Sequence, residues 1–291
     1  MLEYDKIESL VDEAERKKLT ISRLVLEDQA EQLGMKPEYV FARMDQDLKV
    51  MEKAVWEGKN PELKSASGLT GGDAARMEAY GNGLAGPVFN GAIMRAVAVA
   101  EYNAAMGKIV AAPTAGSCGI LPGAVITMME EKGYSREKAV MGLITAGAIG
   151  MVIANKASIA GAEGGCQAEC GSASAMAAAA LVEMAGGTPS MCAHACAIAL
   201  KCQMGLVCDP VAGLVEIPCI KRNAGGVSIA LMAAEMALAG IESKIPADEV
   251  VLSMKEVGDS MPCSLRETAK GGIAVSPTGL RMKEQVFGKK E

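Results

Sequence analysis

Nine cysteines, an odd number, are spread over the 291 residues, and their neighbours sort them by the chemistry each can do. Cys166 follows Gly164-Gly165, Cys208 opens Cys208-Asp209-Pro210, and Cys219 follows Pro218. Glycine and proline beside a thiol let the backbone approach a bulky group and shield it from water, which thiolates around an inorganic cluster require. Three thiolates hold three irons of a cubane and leave a fourth iron open, a Lewis acid able to take a hydroxyl oxygen. Two plainer readings compete. An odd count forbids complete intrachain disulfide pairing. The opening stretch MLEYDKIESLVDEAERKK also lacks the apolar run of a secretory signal, which points to a cytoplasmic chain, where disulfides are uncommon. Buried packing is the other reading, and spacing alone does not separate it from a cluster site, because no C-x-x-C run occurs.

Other cysteines look structural. Cys192 and Cys196 lie four apart in SMCAHACAIAL, followed by Cys202; at helical spacing they share a face with Ala and Ile, as buried free cysteines do. His194, the sole histidine, sits between them and reads as packed rather than ligating. Polar loops supply the remaining chemistry. SASGLTGG at 65–72 carries Ser65, Ser67 and Thr70 among glycines, and APTAGSCG at 112–119 brings Thr114 and Ser117 to a helix start. Hydroxyls and N–H groups in such places suit a carboxylate, although hydroxyls at loop–helix junctions also cap helices. Lys221, Arg222 and Asn223 follow Cys219 directly, within reach of an anion held there, and Glu163 and Glu169 flank Cys166.

The elements that must position these groups read as helices. Half the residues are hydrophobic but only 3% aromatic, with 33 Gly and 20 Met, so the core must be built from Ala, Met and aliphatic side chains. Strand-like alternation is scarce. Uncharged runs predict helices over 84–106, 120–132, 136–154, 172–186, 190–205, 225–240 and 246–257, joined by Gly- or Pro-containing loops. The fold class is therefore all-α, a bundle of buried Ala/Gly/Met-rich helices with polar loops converging on a central site. Residues 1–64 are charge-rich and amphipathic, with Ile7, Leu10, Val11 and Ala14 at helical spacing, Thr20 as a cap, Gly34 as a stop and Pro37 in a first turn. They read as N-terminal helices packing on a catalytic core at 65–291.

A net charge of −6 excludes a nucleic-acid binder, which would carry a basic stripe. A membrane span is also disfavoured: Pro113 and Pro122 interrupt 109–129, and the apolar run 139–154 falls short of the roughly 20 residues a span needs.

Taken together, AEGGCQAECGSASAM at 162–176, CDPVAGLVEIPCIKRNA at 208–224, APTAGSCGILPG at 112–123, SASGLTGGDA at 65–74 and LRETAKGGIAVSPTG at 265–279 resemble the motifs of the iron–sulfur-dependent L-serine dehydratases, over essentially the whole chain. The resemblance implies a helical catalytic chain, the alpha subunit of a two-chain form completed by a beta subunit. It implies deamination of L-serine to pyruvate and ammonia on a [4Fe–4S] cluster, without pyridoxal phosphate. Carried over, Cys166, Cys208 and Cys219 fall on the cluster cysteines. Some single-chain relatives close the resting cluster with a C-terminal cysteine; this sequence ends VFGKKE, and Cys263 is the substitute its sequence offers. The base is unassigned, with a histidine of the beta chain as the candidate. Threonine or cysteine as substrate, and a non-catalytic iron–sulfur redox sensor, remain alternatives at this level.

Overall fold

Residues 5–81 and 83–288 are described by this computed structural model. Among them the chain forms α1 (Ile7–Lys17), α2 (Ile21–Leu33), α3 (Pro37–Gly58), α4 (Asp73–Tyr80), α5 (Gly86–Ala104), α6 (Ile120–Lys132), α7 (Arg136–Lys156), α8 (Gly161–Gly164), α9 (Ser172–Met184), α10 (Pro189–Gln203), α11 (Cys219–Leu238), α12 (Ala247–Ser260) and α13 (Pro277–Phe287), with no strand. The all-α expectation holds.

At the centre stands α9, whose sequence SASAMAAAALVEM is buried on every side except at Glu183. Alanine makes this possible: a helix without bulk can be surrounded closely, and α6, α7, α10 and α11 all pack on it. Glu183 is satisfied rather than stranded, accepting from the Thr145 hydroxyl at 2.7 Å and the Ser22 N–H at 3.2 Å, which ties α9 to α7 and α2. Helix α7 runs to 21 residues, longer than the apolar run at 139–154 predicts, and by length and composition alone it could cross a membrane. It begins at Arg136, ends at Lys156 and packs against α9 and α2, with two thirds of its apolar stretch buried. A core helix of the bundle has those properties.

The N-terminal helices join the same apolar core. Ile7, Leu10 and Ala14 are fully buried, and α1 packs on α10 and α12. The start of α1 has no cap of its own; Asp248 of α12 takes the N–H groups of Ile7 and Glu8 at 2.8 and 2.9 Å, a carboxylate at the positive end of the helix. Thr20 caps α2 by accepting the Arg23 N–H, and Gly34 ends it with φ 63°.

Three local features differ from the sequence expectations. Helix α11 begins at Cys219, six residues before the expected start at 225, and runs through Gly225-Gly226. A side chain at Gly226 would meet Ile120 Cδ1 at 2.4 Å and Ser174 Oγ at 2.9 Å, so the glycine lets α11 lie close to α6 and α9. The stretch expected as a loop at 161–171 is the single turn α8 followed by a π-helical turn, Gln167–Gly171, that runs straight into α9. Wide turns of this kind re-aim side chains and recur at functional sites. Helices α4 and α13 are additions, short and largely exposed, without the apolar run that marks the others.

Candidate functional site

Four thiols meet where α8, the π turn, the 208–219 segment and the start of α11 come together. Cys166 precedes the π turn, and Gly165 before it has φ +76°, a conformation that side chains disfavour. The sulfurs of Cys166 and Cys170 share a hydrogen bond at 3.3 Å. Cys208 is held by backbone bonds to the far loop, its N–H donating to Leu265 O at 2.8 Å and its carbonyl accepting from the Glu267 N–H at 2.7 Å. Cys219 is the first residue of α11. All four are at least nine-tenths buried. Cys208 and Cys219 each feel the charge of Cys166, and Cys208 also feels that of Cys219, so the three loops bring their sulfurs into one electrostatic neighbourhood.

Burial decides the protonation of most of these thiols. It pushes Cys219 up to about 12 and raises Cys208 as well, with the negative charges of Cys166 and Glu169 adding to the effect. Cys166 goes the other way: its hydrogen bond with Cys170, and then the Arg222 guanidinium, pull it below the ordinary thiol value against burial. The same pairing drives Cys170 well up.

Arg222 is fixed by its neighbours. It donates to Val207 O at 2.7 Å and to Asp209 at 2.8 Å, and its charge acts on Cys166. Asp209, 2% exposed, additionally accepts the Ile273 N–H at 2.7 Å. Asn223 is a buried clasp: its amide donates to Gly116 O and Cys219 O at 2.7 and 2.9 Å and its oxygen accepts from the Gly119 N–H at 2.8 Å. Both residues lie among the thiols, with their polar groups engaged by protein. Lys221 points elsewhere, to Asp73 on the exposed side of α11.

The hydroxyl-bearing loops are seated on two carboxylates, Glu169, half-buried, and Glu216, buried. Thr114 donates to Glu169 and lies 3.2 Å from Ser117 Oγ. Burial lifts the Glu169 carboxyl above the ordinary value, partly opposed by the bond from Thr114. On the other side of the Cys219 turn, Ser67 and Thr70 both donate to Glu216, at 2.9 and 3.0 Å, and Ser65 lies 3.3 Å from Ser67. The loop itself is pinned by Glu101 of α5, which accepts the first N–H groups of α4 at 2.9 and 3.1 Å.

Sequence reasoning passes over Cys170 and Glu216. For Cys170 a signal was present: Cys166 and Cys170 are four apart, a spacing that puts both on one side of a helical turn. Glu216 carries no local signal, because its partners lie about 150 residues away in sequence. Cys263 is exposed, whereas Cys170 is buried beside Cys166. His194 is on α10, with Nδ1 accepting from the Ser243 N–H at 3.3 Å.

Whether the thiols suit a cluster turns on the donor set and on the space between them. Among the described residues no group of His, Cys, Asp and Glu closes on a point as a single ion requires. A [4Fe–4S] cluster would instead take one thiolate at each of several separate irons, so buried cysteines from separate segments could hold it, three of them leaving one iron without a protein sulfur. Gly161 marks the space: a Cβ there would lie 3.0 Å from Cys208 Sγ, 3.3 Å from Glu169 Oε2 and 3.4 Å from Glu267 Oε2. The residues fit the group.

Accessibility gives a direct expectation for the cluster-free chain. Cys202 and Cys263 are exposed and the other seven cysteines buried. Iodoacetamide should label those two quickly and the remainder only after denaturation, read by peptide mass spectrometry. Labelling of Cys208 or Cys219 as fast as Cys202 would mean that the pocket stands open.

Comparison with known proteins gives a consistent set of likenesses. Residues 16–274 match the family model described as "Serine dehydratase alpha chain". A "Probable L-serine dehydratase, alpha chain" of Bacillus subtilis is 51% identical over 288 residues, 98% of this chain and 96% of that protein. An "L-serine dehydratase, alpha chain" of Peptoniphilus asaccharolyticus is 44% identical over 277 residues, 94% of this chain and 95% of that one. The longer "L-serine dehydratase 1" of Escherichia coli is 44% identical over 185 residues, 62% of this chain and 40% of its own length.

Proposed function

Because the chain belongs to the serine dehydratase alpha chain family, we propose that it is the catalytic alpha chain of an L-serine ammonia-lyase, converting L-serine to pyruvate and ammonia. It works in the cytoplasm with a beta chain, as the alpha-chain names of its relatives support. Its cofactor is a [4Fe–4S] cluster held by Cys166, Cys208 and Cys219, and pyridoxal phosphate takes no part. The observation that carries this reading is that three buried thiols from three separate segments act on one another's charge, with Cys208 beside Gly161.

When bound, the cluster supplies a Lewis-acidic iron without a protein sulfur, which helps the serine hydroxyl to leave. The chain's own residues do the rest. Burial of the thiols excludes water. Arg222 supplies a positive charge beside Cys166 and, through Asp209, locks the 208–219 segment to the loop at Ile273. Asn223 fixes the distance between the 112–119 loop and Cys219. Ser65, Ser67, Thr70, Thr114 and Ser117 border the substrate. His194 is held on α10, and the candidate for the base that takes the α-proton is a histidine of the beta chain; loss of water then leaves aminoacrylate, which hydrolyses to the products. General-base help of this kind is worth about 10²–10⁴-fold.

Anaerobic reconstitution of this chain with iron and sulfide, alone and with its beta chain, tests the reading. Pyruvate should form from L-serine only when both chains are present, and 2-oxobutanoate should form from L-threonine much more slowly. Turnover by the iron-free pair, or dependence on pyridoxal phosphate, would overturn it.

A further inference from the structure

The hydroxyls around Glu216 have directions that follow from simple proton counting. A hydroxyl has one proton to give and two lone pairs. Ser67 spends its proton on Glu216 Oε2 at 2.9 Å and accepts the Leu69 N–H at 3.1 Å. Its 3.3 Å contact with Ser65 therefore runs one way, with Ser65 donating. Ser65 in turn accepts the Thr70 N–H at 3.3 Å. Thr70 gives its own proton to Glu216 Oε2 at 3.0 Å. All three protons are committed to a path that ends on one carboxylate, 5% exposed and three residues before Cys219.

A loop wired this way has no hydroxyl proton left for a substrate carboxylate, the partner its composition suggests. What it offers outward is the opposite: free lone pairs on Thr70 Oγ1, backed by the charge of Glu216. Thr70 and Glu216 both face a cleft of about 530 Å³ that also touches Pro218, next to Cys219. The feature that complements lone pairs over a carboxylate is a cation with several N–H groups.

From this we infer that Thr70, oriented by Glu216, receives the α-ammonium of the amino-acid substrate, and that Glu216 is a positioning residue selecting amino acids over hydroxy acids. The inference rests on the proposed serine-lyase reading and specifies how that site orients its substrate. Glu216 sets the direction of the hydroxyls and does not touch substrate itself.

The test compares two inhibitors of the reconstituted alpha–beta enzyme that differ only at the relevant group: L-alanine, which has an ammonium, and L-lactate, which has a hydroxyl in its place. Neither has a leaving group, so neither reacts. The wild-type enzyme should prefer L-alanine. Glu216→Gln gives the network an N–H donor and removes the charge, and should weaken L-alanine by about 10- to 100-fold while leaving L-lactate within about threefold. Its KM for L-serine should rise more than its kcat falls. Thr70→Val should have the same selective effect and Thr70→Ser should restore the preference. Equal loss of both inhibitors in Glu216→Gln and Thr70→Val would make the network a structural brace and overturn the assignment, as would no change in either. Should Glu216→Gln fail to fold, the Thr70 pair decides alone. Failure of the wild-type pair to turn over L-serine is a separate outcome: it removes the lyase reading, and the ammonium assignment falls with it.

Discussion

Cys208→Ala should yield a folded, colourless chain that makes no pyruvate when paired with its beta chain. The side chain lost is small, and the backbone bonds of residue 208 to Leu265 and Glu267 need no sulfur. The stability cost should therefore be about 1 kcal/mol, within the ordinary range for a point substitution. Its effect on iron is of another order. Two remaining thiolates leave a cubane with two unprotected corners, and iron retained after anaerobic desalting should fall at least about tenfold. Cys192→Ala is the control: that thiol is equally buried, on α10 inside the Ala-rich core, and its loss should leave both colour and turnover in place. A Cys208→Ala chain that keeps its iron and its activity would show that residue 208 is packing.

Asp209→Ala should cost far more stability, about 3–5 kcal/mol, because it strands a buried cation. Asp209 is 2% exposed and accepts from both Arg222 and the Ile273 N–H. Without it, Arg222 keeps only the bond to the Val207 carbonyl, and the loop after α12 loses its tie to the 208–219 segment. Thermal unfolding of the apo chain should shift downward by roughly 6–20 °C, whereas Asp209→Asn, which can still accept one of these bonds, should fall between. A shift of a degree or two for Asp209→Ala would mean that Arg222 finds water, and that the pair lies outside the protected interior described above.

The bundle was legible in the sequence for a physical reason. Uncharged Ala- and Met-rich stretches of helical length have no stable alternative to burial on all sides, and helices α5 to α7, α9, α10 and α12 begin and end within a few residues of the expectation. The first turns of α11 were not legible: the expected helix starts at residue 225, whereas the structure starts it at Cys219, and within it Gly226 clears space for Ile120 and Ser174. The π turn was illegible as well: GAEGGCQAECG looks like a loop, and only the continuous stacking of α8 onto α9 makes it helical. Helices α4 and α13 lack an apolar run, and what starts α4 is Glu101, about 30 residues away.

At the site, Gly and Pro neighbours and whole-motif resemblance singled out Cys166, Cys208 and Cys219, three thiols that the structure buries. The direction of the hydrogen bonds was not legible. Nothing in SASGLTGG says where its hydroxyl protons point, because the acceptor, Glu216, arrives from the far side of the fold. Arg222 and Asn223, expected within reach of an anion at Cys219, also hydrogen-bond Asp209, Val207, Gly116 and Cys219 and so brace the thiol loops, a role their sequence position does not announce.

The central claim is that Cys166, Cys208 and Cys219 grip one inorganic group with a single exposed corner. Mössbauer spectroscopy of the chain reconstituted with ⁵⁷Fe, paired with its beta chain and recorded with and without L-serine, addresses it most directly. Three irons of one kind and a fourth that alone responds to the amino acid are the predicted spectrum. Iron bound as isolated ions, or four irons indifferent to serine, would contradict it.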